Sequence, residues 1–552
     1  MIRGRLKSII DHCFMQGASE GIWSSAAAGR FTVELPKHEG QGDYSTNLAL
    51  VIAGVDKKKP RDIAKLFVEK LQSQRDVIQK IDIAGPGFIN IYINPAIWHA
   101  LVPEIVSSGR DFGRSDIGAG RKVMVEFVSA NPTGPLSVGH GRQAILGDAI
   151  GRLLAVTGHD VFREYYYNDA GRQMRVLGES TRARYLELLG LPFAFPEDGY
   201  QGEYIVDIAR GLVTEHGDSL KDEVDVTPFK EAAESYIFAD ISTTLKRMGI
   251  VFDNYFNEHS LYENGQIDEV VAELRRLGYV YEKDNAVWFR TTAFGHDQDR
   301  VIIKSSGEPT YRLPDIAYHR EKFRRNFDWL VDIFGSDHIA TVPDVLAGVQ
   351  ALGYDPAKVT VILHQFVTLM RDGKQVKMST RKANFVTVDE LIDEVGTDPV
   401  RFFFMMRKAD SQLEFDLDLA TKQSQENPVY YVQYAHARLC AILRQAADKN
   451  IRLEPAARVA LELLTEPEEL NLLKLLSGFP AMVETSALQL EPHRMIFYLL
   501  DLAAQFHSFY NKHKVITDNP VLTAARLAFI QAILVVLRNG LEMVGLTAPE
   551  RM

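Results

Sequence analysis

Lys122-Val-Met-Val-Glu-Phe-Val-Ser-Ala-Asn-Pro-Thr-Gly-Pro-Leu-Ser-Val-Gly-His-Gly-Arg142 decides how the rest of the chain is read. Lys122 to Val128 is a short β-branched and apolar run, the pattern of a buried strand. Two prolines and a glycine between Ala130 and Ser137 force the chain to turn. Beyond Gly139, Leu146, Ile150, Leu153 and Leu154 recur at helical spacing and predict one apolar stripe against a sheet. Gly158 stops that helix, and Asp160 to Tyr166 predicts the next strand. A strand–loop–helix–strand unit results, with Gly-His-Gly at the helix entrance. Free backbone N–H groups and the positive end of the helix dipole there suit a phosphate.

Around this unit the chain is long enough for about three domains. Apolar residues make up 46% and charged residues 24%, ordinary for a globular protein. No apolar run reads as long enough to cross a bilayer, so no membrane partner is expected. Met1-Ile-Arg-Gly-Arg-Leu-Lys7 lacks the apolar core and cleavage site of a signal peptide and reads as a first helix. Cys13 and Cys440 are the only cysteines. They make neither a zinc cluster nor a disulfide framework, and a reducing cytoplasm is expected. The net charge of −11 does not announce nucleic acid, and counts mildly against it unless basic groups gather on one face.

Residues 1–112 read as an α+β domain: a strand at Phe31–Leu35, a helix at Arg61–Gln72, and a hairpin of Ile81–Ala84 and Gly87–Ile93. Residues 113–121 are a glycine-punctuated linker. The nucleotide-binding unit lies within 113–410, interrupted by a helix-rich insertion over about 172–285, and resumes at Ala286-Val-Trp-Phe-Arg290. Val361 to Met370 reads as a strand. Thr387-Val-Asp-Glu390 is a capping box opening a helix to Val395 that Gly396 stops. Residues 411–552 read as almost wholly helical, with helices at 427–448, 467–477, 480–487, 492–511 and 520–544. Arg121 and Arg142 are left as solvated or structural charges.

Glu126-Phe127, Ser129-Ala-Asn-Pro-Thr-Gly-Pro-Leu136 and Val138-Gly139-His140 together resemble the first signature of class I aminoacyl-tRNA synthetases, in the form used by arginyl-tRNA synthetases. The family's motif is His-Ile-Gly-His, and Ser137 stands at the first histidine here. Lys377-Met-Ser-Thr-Arg381 resembles the second, lysine-rich signature. Asn427-Pro-Val-Tyr-Tyr-Val-Gln-Tyr-Ala-His-Ala-Arg438 resembles the start of the family's helical anticodon-binding domain, and the resemblance spans the whole chain. It implies a Rossmann-like α/β catalytic domain between an N-terminal α+β domain that touches the tRNA elbow and a C-terminal all-α domain.

It also implies a function: arginine is joined to ATP, pyrophosphate leaves, and the arginyl group passes to the terminal adenosine of tRNA-Arg. Pro132, Gly134, Ser137, Gly139, His140, Asp337 and His338 would hold ATP, with Lys377, Met378 and Ser379 on the mobile loop. His140 and Lys377 would be catalytic. A compact lysine cation can follow charge onto the leaving pyrophosphate. Arg381 or Lys382 stands for the family's second lysine. For arginine, Asp315 is a suitable anion for the planar guanidinium. Glu126 would add a second carboxylate, Ser129 and Asn131 would hold the α-amino and carboxylate groups, and Tyr311 would wall the side chain.

Plainer roles stand beside several of these. Asp315 and Asp337 suit helix caps and Glu126 an ion pair, while Asn168 and Asp169, expected at a strand's carboxyl end where open α/β sheets bind ligands, also suit a turn and an N-cap. Tyr44 and Asn47 would meet an exposed tRNA base, or else Tyr44 simply packs. Tyr434 and Arg438 are the candidate tRNA contacts of the helical domain. Mg²⁺ would come with ATP rather than sit in a protein cage, no metal ligands or zinc are expected, and the family suggests a monomer whose arginine activation needs tRNA. The rivals are a synthetase for another amino acid, such as cysteine, and a silent paralogue that only binds tRNA, which Ser137 favours.

Overall fold

The structure, a computed structural model, describes residues 2–36, 40–376 and 386–552. The N-terminal region holds α1 (Ile2–Ser19), β1 (Val33–Glu34), β2 (Tyr44–Thr46), α2 (Leu48–Asp56), α3 (Pro60–Leu71), β3 (Ile78–Ala84), β4 (Phe88–Ile93), α4 (Pro95–His99) and α5 (Leu101–Ser108). Its antiparallel sheet runs β1-β2-β4-β3. The β3–β4 turn needs Gly87, which has φ +148° and lies so close to Pro60 that a Cβ would meet it at 2.9 Å.

The middle of the chain begins with β5 (Lys122–Glu126), α6 (Val138–Val156) and β6 (Asp160–Tyr167). Next come α7 (Gly171–Leu188), α8 (Glu203–His216), α9 (Thr227–Arg247), β7 (Asn254–Asn257), α10 (His259–Glu263) and α11 (Gln266–Arg276). β8 (Val280–Lys283), β9 (Ala286–Phe289), β10 (Arg300–Ile303), α12 (Arg312–Arg324), β11 (Trp329–Gly335), α13 (Val342–Ala351) and β12 (Val359–His364) follow. The region closes with β13 (Val367–Arg371), β14 (Lys374–Gln375), α14 (Val388–Val395), α15 (Thr397–Met405), β15 (Leu413–Asp416) and α16 (Leu417–Thr421).

Its central sheet is parallel throughout, in the order β12-β11-β5-β6-β7. The order reverses between β5 and β11, so a crevice opens at the carboxyl ends of those two strands. α6 packs tightly on the exit of β5, because Gly147 has no Cβ to meet the Phe127 ring at 2.2 Å. The last region is a bundle of α17 (Pro428–Asp448), α18 (Pro467–Ser477), α19 (Phe479–Leu488), α20 (His493–Lys512) and α21 (Pro520–Met543). One buried apolar cluster runs from Ile2 through the central sheet to Leu546.

Five expectations change. The strand expected at Phe31–Leu35 shortens to the two residues of β1. Ala286 does not resume the central sheet. It lies in β9 of a separate antiparallel sheet, β10-β9-β8, while the central sheet already gains β7 at Asn254 and takes its next strand, β11, at Trp329. The run from Val361 to Met370 is two strands in two sheets, β12 and β13. Leu413–Asp416 pairs with β13 in parallel, so strand structure reaches past residue 411. α21, finally, is long and apolar enough to cross a membrane by length and composition, yet it is largely buried within the protein against α5, α17 and α20. Apolar periodicity alone does not separate a core helix from a span.

Candidate active site

The chain leaves β5 through two residues in the left-handed region, Val128 at φ +69° and Ser129 at +42°. Such backbone costs roughly 1–3 kcal/mol per residue and persists where surroundings enforce it. Here it turns Ser129 back toward the sheet. Its hydroxyl donates to Glu126 at 2.9 Å and accepts the Tyr166 N–H at 3.2 Å. Asn131 is also engaged: its carbonyl accepts from the Asn168 N–H (3.0 Å) and its amide donates to Gln173 (3.1 Å). Pro132 is buried, and Gly134 lies against the hydroxyl of Tyr204, where a Cβ would come within 3.0 Å.

Ser137 caps α6. Its Oγ accepts the His140 N–H at 3.4 Å, while the Ser137 N–H donates to His140 Nδ1 at 3.3 Å, a reciprocal capping box. With Nδ1 accepting, the ring proton sits on Nε2, which remains free to donate. Burial pushes the His140 pKa down, against a weaker upward pull from Asp337, so the ring is neutral at pH 7. His364, at the carboxyl end of β12, belongs to the same group. Burial, together with Arg142 and His140, lowers it to about 4. Asp337 and His338 stand exposed after β11, His338 stacked on Phe334 with ring centroids 5.1 Å apart. The Asp337 carboxylate lies over Gly335, where a Cβ would displace its exposed tip.

Lys377, Met378, Ser379, Arg381 and Lys382 lie outside the described residues. The chain on either side of them is nonetheless placed. β14 precedes them, and Thr387 pairs with Ser137 in an isolated bridge, with the Val388 N–H donating to Leu136 O at 2.9 Å. The return of the second signature is therefore fastened to the α6 entrance.

Beneath the crevice sits a buried charge network. Lys322 donates to Glu126 at 2.5 Å and to Asp332 at 2.7 Å. His319 Nε2 lies 2.9 Å from Asp332, and its Nδ1 donates to the Asp315 carbonyl at 2.8 Å. Burial works against the Lys322 charge, but Asp332 and Glu126 more than offset it and hold its pKa above the ordinary lysine value. Burial pushes Glu126 up against the pull of Lys322. In this structure the two Glu126 oxygens are taken by Lys322 and Ser129, the ion pair of the plainer reading.

Asp315 contrasts with it. Its carboxylate has no hydrogen bond or ion pair among the described residues, and burial raises it to about 7, with Glu258 and Glu126 adding to the rise. Asp315 is not a side-chain cap of α12. It lines a small pocket with His319, Phe334, His338 and Val361. Tyr311, at the start of α12, is 84% exposed. Glu258 is the carboxylate that the sequence did not reveal. It accepts from Tyr166 Oη (2.6 Å) and Asn168 Nδ2 (2.8 Å), and burial raises its pKa as well. Two carboxylates, both raised by burial, with Glu258 adding to the rise of Asp315, form a site that suits a cation.

Outside the crevice, Tyr44 is 7% exposed and packs in the N-terminal core, which corrects its role as a platform for a base. Asn47 accepts the Thr32 N–H at 2.8 Å. Tyr434 is half-buried between Tyr430 and His507, and Arg438 lies 4.7 Å over its ring and donates to its hydroxyl. Glu466, Glu468 and His513 approach one another as metal ligands would, but Glu468 is already paired with Lys512 (2.5 Å) and His513 (3.0 Å).

Known proteins share this architecture. The family model "tRNA synthetases class I (R), catalytic domain" matches residues 101–190 and 197–412. "Arginyl tRNA synthetase N terminal domain" matches 7–93 and "DALR anticodon binding domain" 432–552. An arginine–tRNA ligase of Desulfotalea psychrophila is 70% identical over 552 residues, covering 100% of both chains. The chain belongs to the arginyl-tRNA synthetases. A putative arginyl-tRNA synthetase structure from Campylobacter jejuni has a TM-score of 0.77 at 30% identity, covering 83% of this chain and 100% of that one. The Thermus thermophilus arginyl-tRNA synthetase, with a TM-score of 0.74 at 22% identity and full coverage of both, shares the fold.

Within an arginyl-tRNA synthetase framework, the crevice residues that the sequence reading did not single out are Glu258 and His364. Glu258 follows an unremarkable Asn-Tyr-Phe-Asn run, and only the pairing of β7 beside β6 brings it under Tyr166. His364 carried a detectable signal, a histidine ending a strand pattern one crossover before the lysine-rich loop.

Proposed function

We propose that Asp315 and Glu258 hold the guanidinium of arginine while His140 and Lys377 stabilise charge on ATP, in the arginine–tRNA ligase reaction that family membership carries. The observation that supports this most directly is the half-buried Asp315 carboxylate, raised to about 7 by desolvation and without a hydrogen-bonding or ionic partner among the described residues. A guanidinium supplies fixed, forked donors and a charge that stays at any working pH. Tyr311, exposed at the start of α12 four residues before Asp315, would cover the substrate side chain. Ser129 and Asn131 would exchange their present partners for the α-amino and carboxylate groups.

ATP would lie over the α6 entrance, with His140 Nε2–H donating toward the α-phosphate and the Asp337–His338 stretch near the ribose. Positioning and charge stabilisation carry the chemistry, with no covalent enzyme intermediate. Mg²⁺ would accompany the nucleotide and offset phosphate charge, and no zinc is needed. The anticodon-binding region would present the half-buried Tyr434–Arg438 pair to tRNA-Arg, and Asn47 would be the elbow contact left on the N-terminal region. A monomer in the cytoplasm, with domains at 1–112, 113–410 and 411–552 and with tRNA required for arginine activation, completes the reading.

The test is arginine attachment to tRNA and arginine-dependent pyrophosphate exchange with purified protein, with Lys377→Ala and Asp315→Asn. Lys377→Ala is expected to lower kcat. Asp315→Asn is expected to raise KM for arginine about 10- to 150-fold, the worth of one charge-assisted bond. Wild-type protein that binds tRNA without charging it would favour the silent paralogue instead.

A further inference from the structure

Arg142, two residues beyond His140 on α6, is among the largest fully buried side chains in the protein. A sequence reading leaves it as a solvated or structural charge, yet its exposure is 0%. Among the described residues it forms no ion pair. Its guanidinium is spent on three backbone carbonyls: Nη1 donates to Gln365 O at 2.7 Å, and Nη2 donates to Lys408 O and Ser411 O, both at 2.9 Å. Nε has no partner. A buried cation with only neutral acceptors is costly, so its retention needs a reason.

The three carbonyls supply one. Gln365 follows His364 and opens the crossover from β12 to β13. Lys408 and Ser411 belong to the loop before β15, the parallel partner of β13. β13 turns into β14, which ends two residues before Lys377 in the sequence. The next residue on α6, Gln143, donates to the carbonyl of Ile333 in β11. The helix that carries His140 is thus pinned on one side to the strand before Asp337. On the other it is pinned to the base of the strand pair that carries the second signature.

We propose that Arg142 is a positioning residue for arginine activation, whose three-carbonyl clamp sets the spacing between His140 and the β13–β15 pair from which the Lys377 segment departs. This rests on the arginine-activation reading. The clamp does not touch the Asp315 pocket, so it acts on the nucleotide half of the reaction and not on the affinity for arginine. Lysine keeps the charge but places a single nitrogen on a flexible stem and cannot span three carbonyls in one plane.

The experiment measures arginine-dependent pyrophosphate exchange, with tRNA present, for wild type, Arg142→Lys and Arg142→Ala, alongside circular dichroism and thermal melting. Below its melting point, folded Arg142→Lys is expected to lose kcat on the order of 100-fold, the cost of misplacing reacting groups by about 1 Å. Its KM for arginine should stay at the wild-type value. Methylguanidinium is expected to restore part of the exchange rate of Arg142→Ala. Folded variants with wild-type kcat would overturn the proposal, and so would equal changes in kcat and in KM for arginine. Failure of every variant to fold, with or without methylguanidinium, would also overturn it, leaving Arg142 as a residue of stability alone. Absence of exchange in the wild type would instead overturn the activation reading itself.

Discussion

Asp315 is a carboxylate held ready for a charge the protein does not supply. Burial moves its pKa from the usual carboxylate range to about 7, and neighbouring Glu258 adds to the rise. With Asp315 as the proposed partner of the guanidinium, arginine binding needs the ionised form. The free site is therefore competent above pH 7 and loses competence as pH falls through that value. kcat/KM for arginine reports groups of the free enzyme, so it should drop about tenfold per pH unit below 7. The substrate guanidinium does not titrate there. His140 and His364 are both shifted downward by burial, so their protonation enters at lower pH. Asp315→Asn should abolish the limb near 7. A profile flat from pH 5.5 to 8 in the wild type would show that Asp315 is ionised without substrate. Asp315 was legible in the sequence because it lies four residues past Tyr311 in a stretch that resembles the family. Glu258 was not, because its role depends on Tyr166 and Asn168, some ninety residues away in the chain.

Lys322 of α12 joins three elements, bonding Glu126 of β5 and Asp332 of β11 while fully buried. Removing it would leave two buried carboxylates with no cation between them, apart from the His319 contact to Asp332. Breaking a buried pair by deleting one partner costs about 3–5 kcal/mol. Lys322→Met is therefore expected to lower the unfolding free energy by that amount in denaturant titration, with the larger loss above pH 5, where both carboxylates seek to ionise. A loss under about 1 kcal/mol would mean that the two carboxylates share a proton without help from Lys322. The local unit of β5, α6 and β6 was readable from sequence because its signals, apolar runs, prolines and glycines, act between near neighbours. The same reasoning merged β12 with β13, since a continuous apolar run does not say where a chain leaves one sheet for another. It also left Glu126 open between the substrate and an ion pair, because nothing local reveals a lysine 196 residues away. The left-handed pair Val128 and Ser129 was hidden for a related reason: a β-branched residue at positive φ contradicts local preference and is held by its surroundings.

The three regions share one continuous apolar core, and Arg401 marks where the middle region and the helical bundle lock. From α15, buried to 1% exposure, it donates to Asp148 of α6 at 2.5 Å, to Met248 O after α9 at 2.8 Å, and to Val544 O after α21 at 2.9 Å. Gly545 completes the fit. Its φ is +76°, and a Cβ there would lie 2.1 Å from the guanidinium. Arg401→Met would strand the Met248 and Val544 carbonyls, each at about 1–3 kcal/mol, while Asp148 keeps Arg152 at 2.7 Å. The loss falls on the joint between the helical bundle and the sheet rather than on either interior. Calorimetry should accordingly show the wild type unfolding in one concerted transition, and Arg401→Met in two, the bundle with its apolar α21 melting first. Exposure of that helix should bring concentration-dependent aggregation between the two transitions, since its buried face has then lost its cover. A single transition in Arg401→Met at the wild-type midpoint would show that the shared apolar core couples the regions without the arginine.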